Sequence, residues 1–216
     1  MKNIVISGLF AVSALSAQAQ EIFDFTTVEY QAVQGQTSFD FGDIEISTVA
    51  PDKLTWNGFG DGTKGDGIGV ENDEITGNQG QQVVFDFTDD VFVTAVDFLD
   101  LFEEGDSVNG AEAGSATFTL ADNSTQTIDF DYTTNKGWAS QAGFVGDSTN
   151  GDYGDATIFV NFDQAVKSIT FTAQDDNWSD YAVARIRTSA GGDAPFAPSV
   201  VVFGMMGFAF SALRRK

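Results

Sequence analysis

The sequence predicts an all-β domain, an antiparallel sandwich of short strands, over residues 20–188. Three observations carry the prediction. Apolar residues between 20 and 190 recur with a period of two rather than 3.6, the repeat of a strand with one buried face. Phe dominates these positions with 21 copies, joined by Val, Ile and Thr, which suit a pleated, half-buried surface. Clusters of Gly, Asp and Asn punctuate the runs, and no long amphipathic stretch interrupts them, the pattern of a sandwich rather than of alternating strands and helices.

The elements follow in order. Residues 22–25 alternate as Ile22-Phe23-Asp24-Phe25, residues 37–41 place Phe39 and Phe41 around Asp40, and residues 44–47 alternate Ile with Glu45 and Ser47. Further runs cover 82–88, 91–101, 116–120, 125–132, 157–163, 167–173 and 181–188. Phe-Asp-Phe recurs at 23–25, 39–41 and 85–87, and Phe130-Asp131 echoes it. A strand sends such neighbours to opposite faces, so Phe is expected inward and Asp outward. A body of about 170 residues buries an adequate core without cross-links.

Two flanks differ from this body. Met1-Lys2-Asn3, the apolar run 4–15 and Ala17-Gln18-Ala19 have the charged, apolar and small-residue order of a secretory signal peptide over residues 1–19. Residues 189–198 form a Gly-rich linker ending in Pro195 and Pro198, and residues 199–213 carry no charge before Arg214-Arg215-Lys216. Fifteen residues at about 1.5 Å each give roughly 22 Å of helix, short of a bilayer core of about 30 Å; counting back to Ala194 closes the gap. A buried helix of the domain is the alternative, but the segment has no polar face, and the closing cations suit a membrane anchor. A C-terminal hydrophobic transmembrane helix over 199–216 is therefore expected.

Charge and composition exclude several functions. The 216 residues hold 10 Lys and Arg against 32 Asp and Glu, a net charge of −22. Such a body repels phosphate backbones, so no nucleic-acid partner is expected. Without Cys or His, thiolate chemistry, Ser-His-Asp catalysis and His-ligated zinc are out of reach. The acids instead gather in Gly-rich loops. Residues 57–78 hold Asp61, Asp66, Asp73 and Glu74 among glycines. Calcium takes six to eight oxygens, and Gly lets carbonyls join the shell. Two more segments, 147–155 with Asn150, Asp152 and Asp155, and 175–181 with Asp180, are candidates of the same kind. Each cluster reads equally as a solvated turn. In many jelly-roll modules an acid opening the last strand joins a calcium site near the chain's start. Asp180 would fill that place, with Asp24 or Glu29 opposite. Trp56, Trp138 and Trp178 lie in polar loops and are candidates for stacking on sugar rings, or for lids on the core.

The tail, with its prolines, one apolar helix and a basic end, resembles the PEP-CTERM sorting signal; here the prolines frame Phe196-Ala197 in place of the namesake motif. The Gly65-Asp66-Gly67-Ile68-Gly69-Val70 segment, followed by Asp73-Glu74-Ile75 and a Phe-rich strand, resembles the secreted jelly-roll-like β-sandwich passengers found ahead of such tails. The resemblance implies export, processing by an exosortase-type enzyme, passage through the membrane by the C-terminal helix, and a cell-surface or biofilm-matrix setting beside exopolysaccharide. The expected function is thus a non-enzymatic matrix protein, calcium-stabilised and carbohydrate-binding. Two classes stay open: a secreted glycoside hydrolase or lyase, needing two carboxylates about 5–9 Å apart, and a purely structural or adhesive protein.

Overall fold

A computed structural model describes residues 20–56, 65–71, 74–102, 111–135, 154–176 and 179–189. The expected signal peptide and C-terminal helix lie outside these residues, as do Asp61, Asp73, Asn150, Asp152, Trp138 and Trp178. The described residues are mostly β-strand, paired antiparallel, consistent with an all-β domain. Its strands are β1 (Gln20–Asp24), β2 (Ser38–Asp40), β3 (Ile44–Thr48), β4 (Leu54–Thr55), β5 (Gly69–Val70) and β6 (Val83–Leu99). They continue with β7 (Ala113–Leu120), β8 (Thr125–Asp131), β9 (Ala156–Phe159), β10 (Val166–Ala173) and β11 (Ala182–Ser189). Between β8 and β9 lies one helical turn, α1 (Tyr132–Asn135). Among the described residues no helix is long and apolar enough to cross a membrane.

The 17-residue β6 organises the fold. Its first half pairs with β3 and β10, its second with β11 and β9. Six strands therefore run β2-β3-β6-β10-β7-β8 and four run β1-β11-β6-β9, with β6 common to both. The two runs face each other across one core. Phe23 of β1 meets Phe87 with centroids 5.7 Å apart, and Phe98 of β6 stacks on Phe130 of β8 at 4.3 Å. The Phe-Asp pattern does what strand geometry demands: Phe23, Phe25, Phe85, Phe87 and Phe130 are buried, while Asp40 and Asp86 are exposed.

A bulge lets β6 serve both runs. Ala95 faces Arg187 and Val93 faces Thr188, so Thr94 is an extra residue on β6. One extra residue exchanges the two faces beyond it. Phe85, Phe87 and Val93 point inward before the bulge, and Val96 and Phe98 after it. Asp97 is thereby sent to the outer face of the four-stranded run. There Asp24, Arg185, Asp97 and Thr157 stand opposite one another across β1, β11, β6 and β9. Arg185 pairs with Asp24 at 3.0 Å. Arg187 grips Asp97 with two bonds, Nε to Oδ2 at 2.8 Å and Nη2 to Oδ1. The Thr157 hydroxyl also donates to Asp97 Oδ1, at 2.6 Å.

A short 3₁₀ turn, Val28–Val33, leans Tyr30 edge-on against Phe25, centroids 4.9 Å apart. Burial first, then the nearby Glu29, Asp24, Asp43 and Glu21 carboxylates, push its phenol from 10.0 up to about 12. The buried Tyr181 phenol is likewise raised, by burial. A raised phenol binds its proton more tightly folded than unfolded. Its contribution is therefore complete below pH 10 and is lost as pH climbs through 12. The melting temperature is expected to fall over that window, and Tyr30→Phe to blunt the fall while leaving the melt at pH 7 little changed. An identical alkaline profile in the variant would count against it.

Candidate functional site

Two of the three segments singled out for calcium are brought together by backbone pairing. Ile68 bridges Val183 in both directions, at 2.9 and 3.0 Å, and the Ile75 amide donates to Tyr181 O at 2.9 Å. Residues 65–71 and 74–75 thus run along the start of β11, so Asp66, Glu74 and Asp180 belong to segments that are neighbours in the fold. Gly67 makes this approach possible. Its φ is +123°, and a Cβ there would strike the Val183 carbonyl, so only Gly fits. Among the described residues, however, no three acidic side chains converge into a metal-holding group.

Asp24, one of the two residues expected opposite Asp180, is engaged by a cation of the chain itself. Its carboxylate is held by Arg185 and accepts the Thr26 hydroxyl at 2.6 Å. The strand pairing sets this arrangement, because Asp24 lies directly opposite Arg185. Trp56 corrects the reading of a sugar-stacking ring. It is 3% exposed in the core, and its indole N–H donates to Phe25 O at 2.8 Å. A buried indole needs such an acceptor, and the packing leaves its faces no room for a ligand.

The cavity that does offer itself lies elsewhere. A groove of about 800 Å³ opens where β7, β8 and β10 end beside α1. Gly114 and Phe130 line it, with Ser115, Asp129, Asp131, Thr134, Gln174 and Asp175 supplying polar groups. Gly114 is required here. A Cβ would come within 2.7 Å of the Tyr181 ring, 2.9 Å of Phe130 and 2.9 Å of Thr172 O. Tyr181 is fully buried, and among the described residues its hydroxyl finds no hydrogen-bond partner. Asp131 has a local task. It accepts the Thr134 amide at 2.7 Å and the Thr134 hydroxyl at 3.0 Å, closing the turn of α1.

The groove continues onto the outward face of the six-stranded run. In register across β10, β7 and β8 stand Thr172, Ser115 and Asp129, then Thr170, Thr117 and Thr127, then Ser168, Thr119 and Thr125. The Ser115 and Thr172 hydroxyls lie 2.9 Å apart, and those of Thr117 and Thr127 3.0 Å. On the other half of this face Asp40, Glu45 and Asp86 are aligned across β2, β3 and β6, like charges whose adjacency costs stability. In the sequence alone these outward Ser and Thr positions carry no assigned role. The Thr-x-Thr pattern at 117–119, 125–127 and 170–172 is the signal that could have marked them.

Compared with known proteins, the chain matches no family model, no curated protein and no solved structure.

Proposed function

We propose that this chain is an exported, non-enzymatic protein of the cell surface or extracellular matrix that associates with polysaccharide. The observation that carries the reading is the groove beside α1, whose hydroxyls, amide and carboxylates match the many donors and acceptors of a sugar. The strand arrangement is in keeping with a jelly-roll-like sandwich, with the first strand beside the last. The PEP-CTERM-like tail is read as a sorting signal that holds the chain at the membrane until an exosortase-type enzyme acts. Calcium is read as a stabilising ion bound where residues 65–71 and 74–75 meet the start of β11.

The test is retardation of the secreted chain in native gels cast with the producer's own extracellular polysaccharide. Asp129→Ala with Gln174→Ala is expected to weaken retardation at least five-fold without lowering the melting temperature. A parent that runs unretarded, or variants that bind equally, overturns the groove reading, and release of reducing ends from the polymer overturns the non-enzymatic one. In the same preparation EDTA should lower the melting temperature and calcium restore it. An unchanged melt removes the calcium assignment alone.

A further inference from the structure

The hydroxyl grid on β10, β7 and β8 is neutral but for Asp129 at one corner, on a chain of net charge −22. Strands lie about 4.8 Å apart and alternate residues about 6.8 Å apart along a strand, so the hydroxyls form a two-dimensional repeat. Hydroxyls that pair across strands are held in fixed directions. In each pair one donates to the other, which leaves one proton and several lone pairs for a ligand. Threonine methyls between them offer apolar contact to ring C–H groups.

We propose that this grid is the extended part of the polysaccharide surface and takes an uncharged, unbranched glycan laid across the strands, its continuation entering the groove. The inference rests on the polysaccharide reading above and adds the class of polymer. Three arguments converge on it. The interstrand spacing of about 4.8 Å is close to the advance of one pyranose ring along an extended chain, so one sugar falls on each strand. Ser115 and Asp129 belong to both grid and groove, which makes one continuous surface. Apart from Asp129 at its corner the grid is uncharged, whereas Asp40, Glu45 and Asp86 line the other half of the same face and repel anionic chains. The grid carries no aromatic ring, so affinity is the sum of many weak hydrogen bonds and rises with chain length.

Affinity electrophoresis of the secreted chain tests this with two probes, neutral hydroxyethylcellulose and anionic alginate. The neutral polymer is expected to retard it and alginate not. Thr117→Val, Thr127→Val and Thr170→Val together should weaken retardation at least five-fold. Val keeps the side-chain shape and suits strands, so circular dichroism and melting temperature should hold. Alginate binding as strong as neutral binding, or a triple variant that binds like the parent, overturns the grid assignment and leaves polysaccharide association standing. Absence of retardation by either polymer, and by the producer's own polysaccharide, overturns both.

Discussion

Phe98→Ala is expected to destabilise the domain by about 3–5 kcal/mol, the range for emptying a large aromatic from a core. That is about a fifth or more of the roughly 5–15 kcal/mol by which an ordinary domain is stable. Phe98 is fully buried, and its ring centroid lies 4.3 Å from that of Phe130. It stacks on Phe130 with an interplanar angle of 18°, and meets Phe171 and Tyr181 edge-on at 5.8 and 5.4 Å. Phe130 and Tyr181 also contact each other, at 5.2 Å, and both crowd over Gly114. The cavity therefore has walls from β6, β8, β10 and the start of β11 that are held apart by paired strands and cannot collapse into it. Urea unfolding should show a lower midpoint at unchanged slope. Phe98→Leu, which fills most of the space, should recover more than half of the loss. A cost below about 1 kcal/mol for Phe98→Ala would mean that this ring does not join the two runs.

The strands were legible because a half-buried sheet imposes a period of two, and the Phe-Asp alternation at 23–25, 39–41 and 85–87 is that period written out. What escaped was everything decided by partners distant in sequence. The runs at 82–88 and 91–101 are a single strand through Asp89 and Asp90, because β3 and β10 pair one half and β11 and β9 the other. The bulge at Thr94 leaves no mark in the local pattern, since residues 95–99 are buried on both faces. β4 and β5, two residues each, are too short to show a period. The strand β11 also runs through Ser189, the first residue assigned to the linker. Trp56 sits among polar neighbours that suggest an exposed loop, yet the acceptor that holds it is Phe25, 31 residues away. The groove was hidden for the same reason. Its residues come from β7, β8 and β10, and only the register brings Ser115 between Thr172 and Asp129.

Asp97→Ala is expected to be as damaging as the loss of Phe98, for the opposite physical reason. Asp97 is fully buried and accepts from both Arg187 and Thr157. Removing the carboxylate leaves a guanidinium only 17% exposed and a buried hydroxyl without their acceptor. Breaking a buried pair from one side costs about 3–5 kcal/mol, most of it the desolvation of the orphaned charge. Arg187→Met orphans Asp97 instead and should cost a similar amount. Combining Asp97→Leu, Arg187→Met and Thr157→Val removes every member at once, and should return most of the stability, since an apolar replacement of a whole buried network is often neutral. Measured in urea, the double change at 97 and 187 should fall short of the sum of the singles by at least about 2 kcal/mol; additive losses would show that the pair is not coupled. The network does more than hold two strands. Asp97 and Phe98 are adjacent and face opposite ways, so a slip of β6 by one residue would push a carboxylate into the aromatic core. Because Arg187 and Thr157 can donate to Asp97 only on the outer face, the triad holds the register that the Thr94 bulge sets. The apolar triple variant, stable as it should be, is therefore expected to show broadened amide resonances along β6 and β11 from competing registers.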